Sequence, residues 1–308
     1  MSAEIVSWSA LGPERTPDPA EALTRPDGGL ALVRDGRVAA SAALWWRAPV
    51  VADRPTGRIG HAAWADPDDG ARLLAAAADS LRQRGQAQAV GPLDGSTWFG
   101  YRVVTESDGR APFWLEPAPA AAISQAFARA GFRPVARYLS SAVDALASEA
   151  DDRLADGLAV RSFRTADWVP LHDVLLRAFA GNPFYAPLDL DRFLALYGPL
   201  VSQVDPDLVL VAEAEGRPVA VVLALPDLAQ ARRGEPVDTV IVKTLAVDPA
   251  WRGRGLGGLL VRQVQERARQ RGFRRAVHAL MHADNASVRI SAALGTPFRR
   301  YALLGRDL

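Results

Sequence analysis

Several stretches of this 308-residue chain occur twice in the same order, and that repetition limits its fold more than any other feature. Trp64-Ala65-Asp66-Pro67 parallels Ala246-Val247-Asp248-Pro249. Arg82-Gln83-Arg84-Gly85 parallels Arg269-Gln270-Arg271-Gly272. Phe132-Arg133 to Tyr138 parallels Phe298-Arg299 to Tyr301. Length alone predicts about two domains; the repeat makes them two versions of one fold. The copies are unequal. Pro67 to Gly85 covers 18 positions and Pro249 to Gly272 covers 23. The five additional residues fall around a turn rich in glycine and arginine.

The acidic, apolar-poor stretch 148–157, SEADDRLADG, reads as a linker, with a solvated helix as the alternative. It sets the expected domains at 1–150 and 158–308. In the second half, strands are expected at 158–163, 208–214, 218–225, 239–247, 275–281 and 298–304. Helices are expected at 166–179 with Thr165 as N-cap, at 189–204 capped by Asp189, at 256–271 stopped by Gly272, and at 286–294. The first half shows a similar series. A hairpin of 29–34 and 38–46 turns at Asp35-Gly36-Arg37, with further strands at 60–64, 87–91 and 135–140. Its helices are expected at 71–81 and 123–130. The fold class that results is α/β (α+β), with strands and helices mixed in each half.

Composition excludes several classes. Apolar residues at 49 % and charged residues at 23 % describe a globular chain. There is no cysteine, hence no disulfide and no thiolate metal site, and a reducing cytoplasm is the expected compartment. The 36 basic and 35 acidic residues leave a net charge of +1, with no basic stripe for nucleic acid. Lys243 is the only lysine. The first residues lack the basic and apolar regions of a signal peptide, and no apolar run is long enough for a bilayer, so no membrane partner is expected.

The chemistry-bearing segment is Ala250-Trp251-Arg252-Gly253-Arg254-Gly255-Leu256-Gly257-Gly258, between an expected strand and an amphipathic helix. Glycines let successive N–H groups converge, and the helix start adds unpaired N–H groups and a positive dipole end. Such a turn binds phosphates; Arg252 and Arg254 add charge. A Walker A loop needs Gly-Lys before Ser or Thr, and no lysine is here. Gly253, Gly255 and Gly258 formally satisfy the dinucleotide pattern GxGxxG. Too little chain follows for that fold, and Asp-Pro-Ala-Trp holds the glycines too far from the strand.

The run from Leu245 to Gly257, with Arg252, Gly255 and Gly257 at the key spacing, resembles the acyl-CoA signature of GCN5-related N-acetyltransferases (GNAT). The order of elements over 158–308 resembles that fold as well. The resemblance implies two GNAT-like domains, each a mostly antiparallel sheet flanked by helices, with a splayed fourth and fifth strand in the C-terminal copy. It implies acetyl-CoA or another acyl-CoA as cosubstrate, without metal. The main-chain N–H groups of Arg252, Gly253, Arg254, Gly255, Leu256, Gly257 and Gly258 would hold the pyrophosphate. The segment Leu245-Ala246-Val247 would pair with pantetheine, chiefly through the backbone of Leu245 and Val247, and Asn285 would lie near the pantetheine or acyl group. The implied reaction is direct attack of an amine, from a small molecule or peptide, on the thioester. A non-catalytic acyl-CoA sensor and a dinucleotide-dependent oxidoreductase are the alternatives, and the chain is expected to act as a monomer or homodimer.

The family's usual acid and base are missing. Position 292, where many relatives carry a tyrosine acid, is Ala292. Ser287, Ser291 or Tyr301 could replace it. Asp238 stands near the place of the family's glutamate base. His278 and His282 have suitable proton affinity and, four apart on a strand, would share one side; packing is the competing reading. Lys243, in alternation with Leu245 and Val247, faces the cleft or is solvated. The first copy has Asp66-Pro67-Asp68-Asp69-Gly70 in place of the turn, and acidic residues repel pyrophosphate, so one CoA site is expected. The segments 91–98 and 113–117 are expected to shape the acceptor pocket, with their tryptophans as packing and Asp94 or Glu116 near the amine.

Overall fold

In chain order the first half runs β1 (Ala3–Ser7), α1 (Pro19–Thr24), β2 (Gly28–Arg34), β3 (Arg37–Trp45), β4 (Thr56–Trp64), α2 (Pro67–Gln83), β5 (Gln88–Gly91), β6 (Val103–Ser107), α3 (Ala121–Arg129) and β7 (Arg133–Val143). The second runs β8 (Leu158–Ser162), α4 (Trp168–Phe179), α5 (Leu190–Val201), β9 (Val209–Ala214), β10 (Arg217–Pro226), α6 (Leu228–Arg232), β11 (Thr239–Val247), α7 (Leu256–Gln270), β12 (Arg275–His282), α8 (Ala286–Ala292) and β13 (Thr296–Asp307). The computed structural model describes residues 3–14, 19–49, 51, 53–118, 120–146 and 157–308. The expected linker, apart from Gly157, lies outside the described residues.

Patterning accounts for the main elements. In α7, Leu256, Leu259, Leu260, Val261, Val264 and Ala268 are buried on one face, each large side chain contributing about 1.5–3 kcal/mol. In α2 the equivalent stripe is Leu73, Leu74, Ala77, Ala78 and Leu81. Asp189 caps α5 by accepting from the Arg192 N–H at 2.9 Å. Thr165 does not cap α4. Residues Thr165–Asp167 form a 3₁₀ turn before it, and the Asp167 carboxylate accepts from the Arg164 N–H and from Arg161, both at 2.7 Å. With two of its oxygens so occupied, the turn closes one residue before the α-helix begins.

The strands form one path, β1-β2-β3-β4-β5-β13-β7-β12-β11-β10-β9-β8, with β6 beside β13. It reads the same from either end, so a pseudo-twofold axis passes between β13 and β7. Each half has given its last strand to the other's sheet: β13 lies against β5, and β7 against β12. The two exchanged strands run antiparallel from Thr296↔Ala142 to Gly305↔Arg133, with the repeated tyrosines Tyr301 and Tyr138 opposite each other. The halves are interlocked rather than merely adjacent.

Two pairs in the path are parallel, β4 with β5 and β11 with β12, each crossed by the long helix of its half. Both are short. The second extends from Thr239↔Arg275 only to Val242↔His278, although both strands continue. Beyond that point they diverge, which is the splay expected of the C-terminal copy. No helix among the described residues is long and apolar enough to cross a membrane.

Candidate active site

The glycine turn has the geometry of an anion cradle. Gly253 and Gly255 take φ of +79° and +76°, a region that strains residues with a Cβ. Gly257 is a matter of close fit instead: a Cβ there would meet the ends of Ile290 at 3.3 Å and Leu245 at 3.5 Å, contacts that a small shift of Ile290 would relieve. Gly255 supplies no side-chain cap to α7, and the first helical hydrogen bond at this end is Leu259 N–H to Gly255 O, 3.1 Å. The N–H groups from Gly253 to Gly258 are left for a ligand, whereas the Arg252 N–H, expected among them, donates to Pro249 O at 3.3 Å. The arginines serve the turn differently from each other. Arg252 Nη2 donates to Ala178 O at the end of α4, 2.6 Å, and its Nε to Val247 O, 3.3 Å. Arg254 lies over Trp251, 4.6 Å from the ring centroid. Arg252 therefore anchors the turn as well as charging it.

In the first copy the helix start is already filled. Asp66 caps α2, accepting from Asp68 N–H at 2.9 Å. Asp68 pairs with Arg129 at 2.5 Å, and Asp69 with Arg34. A Cβ on Gly70 would collide with Trp64. No space or free N–H cluster equivalent to that of α7 is left.

From the turn, β11 leads to the splay. Asp248 N–H donates to Val219 O of β10 at 2.9 Å, so by strand alternation Ala246 also faces β10, opposite Val221. The main-chain groups of Leu245 and Val247 face the other way, into the gap where β12 has left. Ala246 thus serves the sheet rather than the gap. Thr244 pairs with Leu223 and Val242 with Ala224, which leaves Lys243 as the additional residue of a β-bulge.

A cavity of 390 Å³ opens at this gap. Lys243, Leu245, Asn285 and Ser287 line it from the C-terminal half, and residues 97–102 and 115–117 with Tyr138 from the N-terminal half. The N-terminal copy thus forms a wall of the cavity. Trp98 enters an aromatic cluster of the other half, with ring centroids 5.5 Å from Phe179, 5.9 Å from Tyr185 and 6.2 Å from Tyr197. Its Nε1 donates to Ala186 O at 2.9 Å.

The structure sorts the expected catalytic residues. His282 and Ser287 line the cavity. The His282 ring stands edge-on to Tyr138, 5.1 Å between centroids, and Nδ1 accepts from Asp284 N–H at 3.2 Å. Burial lowers its pKa, and the imidazole is neutral at pH 7. His278 also borders the cavity but is 4 % exposed, with both ring nitrogens engaged, by Gln265 Nε2 at 2.8 Å and Ser291 Oγ at 2.9 Å. Burial lowers its pKa to about 4. It has no free nitrogen for a substrate proton, and Ser291 is spent on it. The two histidines do not share simple strand alternation, because the register shifts between His278 and Met281 and Leu280 takes φ +59°.

Asp238 is ruled out by position. It sits at the paired end of β11 and takes hydrogen bonds from Gln230, Thr239 and Arg275. Burial opposes its charge, but these donors hold the pKa down to about 2. Tyr301 is 1 % exposed inside the β7–β13 pair, its hydroxyl donating to Glu116 and lying 3.1 Å from Ser140 Oγ. It does not border the cavity. Glu116 does, but it is held by Tyr301, by Arg299 at 2.6 Å and by Phe113 N–H at 3.3 Å. Asp94 accepts from His61 N–H at 2.6 Å, away from the cavity.

Sequence reading missed Arg102. It is 7 % exposed, has φ +73°, and its guanidinium lies 3.5 Å from the Tyr101 ring centroid and 4.4 Å from that of Tyr138. Nη1 donates to Leu280 O at 3.0 Å, while Nε has no hydrogen-bond partner. One arginine in a loop of an arginine-rich chain carries no motif that would single it out.

Residues 168–295 match the family model described as the acetyltransferase (GNAT) family. Similar solved structures include a GCN5-related N-acetyltransferase from Sphaerobacter thermophilus, at 17 % identity and TM-score 0.55, covering 98 % of this chain and 95 % of that one. The tandem GNAT protein from the clavulanic acid biosynthesis pathway follows at 15 % and 0.53, covering 99 % and 98 %. Eis1 from Mycobacterium abscessus is similar at 10 % and 0.53, covering 99 % and 74 %. At these identities the likeness is one of fold. None of the curated proteins compared with the chain matches it. The chain thus has a doubled fold of the GNAT kind, and the family model falls within its C-terminal half.

Proposed function

We propose that the protein is an acyl-CoA-dependent N-acyltransferase with one active copy, acetyl-CoA being the expected donor. The observation that carries this reading is the continuity of three features. The unsatisfied N–H groups of 253–258 open onto the unpaired edge of β11, and that edge runs into the cavity at the splay. Pyrophosphate would sit at the turn, and pantetheine would pair with the main chain of Leu245 and Val247 as an added strand. The thioester would then lie by the Lys243 bulge. A neutral amine attacks its carbonyl carbon, the C–S bond breaks from the tetrahedral intermediate, and the sulfur leaves as thiol. His282 would take the proton from the acceptor's ammonium before attack, at Nδ1, giving up the bond from Asp284 N–H. Ser287, in the first turn of α8, would relay a solvent proton to the thiolate. Positioning would supply most of the acceleration.

The test is a thermal-shift series with acetyl-CoA, CoA and NAD, followed by free-thiol release with amine libraries. Stabilisation by acetyl-CoA and CoA, with thiol release dependent on an amine, is expected. Stabilisation by NAD alone would overturn the reading, and acetyl-CoA binding without thiol release from any amine would favour a sensor.

A further inference from the structure

Two cations face the acceptor side of the cavity without a counter-ion. Among the described residues no carboxylate pairs with Lys243 or Arg102. The one acid that lines the cavity, Glu116, is already committed to Arg299, Tyr301 and Phe113. His278 and His282 are neutral and leave the balance positive. The cations sense each other: burial first and then the Arg102 charge depress the Lys243 pKa, to about 8. Holding two like charges in a dry cleft is costly; the ties of Arg102 to Leu280 O and to the Tyr101 and Tyr138 rings offset part of that for Arg102 and none of it for Lys243. Lys243 lies on a bulge, and its ammonium has no hydrogen-bond partner among the described residues. Arg102 occupies a backbone region that is unfavourable for a residue with a Cβ. Its Nε remains unsatisfied although buried.

We infer that the acceptor amine carries a carboxylate, bound between Arg102 and Lys243, on an apolar body of aromatic size. The inference rests on the acyltransferase reading and names the substrate class of that site. The planar guanidinium presents the fork that a carboxylate matches, and Lys243 adds a point charge from the opposite wall. Trp98, Phe179, Tyr185 and Tyr197 make the rest of the pocket aromatic. That wall gives the body of the acceptor its contact area. CoA phosphates do not satisfy these cations in this arrangement, because the phosphate turn lies at the far end of the open β11 edge. Arg102 belongs to the N-terminal copy, so the degenerate half would select the acceptor while the intact half binds the donor.

The single lysine supplies the readout. Reductive ¹³C-methylation labels Lys243 and the terminal amine only, and the charge of each is kept. With CoA present to fill the donor site, the labelled protein is titrated with L-phenylalanine, 3-phenylpropionate and phenethylamine. CoA binding is followed separately by thermal shift, so failure of the acyltransferase reading is seen on its own. The two carboxylates are expected to move the Lys243 resonance saturably, and phenethylamine is not. Arg102→Gln should weaken carboxylate binding at least about tenfold, the effect of losing one charge-assisted pair, with CoA affinity unchanged. If that variant does not fold, Arg102→Lys keeps the charge, loses the fork and should bind more weakly than wild type. A response to phenethylamine equal to that of 3-phenylpropionate overturns the proposal. So does the absence of a saturable shift with both carboxylates, or unchanged affinity in the Arg102 variant.

Discussion

At the scale of single residues, the two histidines should separate function from stability. His282 must be neutral to accept a proton, and burial places its pKa below the ordinary 6.5. The acidic limb of kcat/KM is therefore expected below about pH 6.5, and His282→Gln should remove that limb while lowering the plateau; pH–rate profiles of both proteins check it. His278 has the opposite assignment. Its folded pKa of about 4 lies below its unfolded value, so the unfolded chain binds more protons as pH falls. Its contribution is present above pH 6.5 and is lost toward pH 4, amounting to about 2 kcal/mol between pH 7 and pH 5. Urea unfolding at the two pH values should show that slope in wild type and a shallower one in His278→Asn. Arg252→Glu should weaken acetyl-CoA binding at least about tenfold, read as a lost thermal shift, with some loosening of the tie to Ala178. The phosphate turn was legible because three glycines and two arginines at fixed spacing have few other uses. Lys243 and Arg102 were not, because a bulge and a positive φ at a non-glycine residue have no pattern in one sequence.

At the scale of elements, periodicity identified most strands and helices but not their neighbours. β11 and α7 stand where alternation and the 3.6-residue stripe placed them. β1 and β6 escaped because they lie at the margin of the sheet and carry little buried apolar surface. The exchange of β7 and β13 could not be read, since a period of two reports which side is buried and is silent on which strand pairs. That exchange makes the approach to β13 a sensitive point. At Gly295 a Cβ would lie 2.4 Å from Ala142 O on β7. Gly295→Ala should destabilise the protein by about 1–3 kcal/mol through that contact, measured as a lower denaturation midpoint with the slope retained.

At the scale of the whole molecule, the interlocked sheet predicts one cooperative unfolding transition despite two copies of the fold, which calorimetry and circular dichroism should record at a common midpoint. Isothermal titration should find one acetyl-CoA per chain, because Asp66 and its neighbours occupy the helix start that would serve a second. The order of synthesis adds a further consequence. β13 is made well after β5 and β7, the two strands that close on it. At ordinary rates of synthesis those two edges wait about ten to forty seconds for it. The N-terminal sheet cannot complete itself until β13 has been made, and its two open strand edges have to be shielded until then.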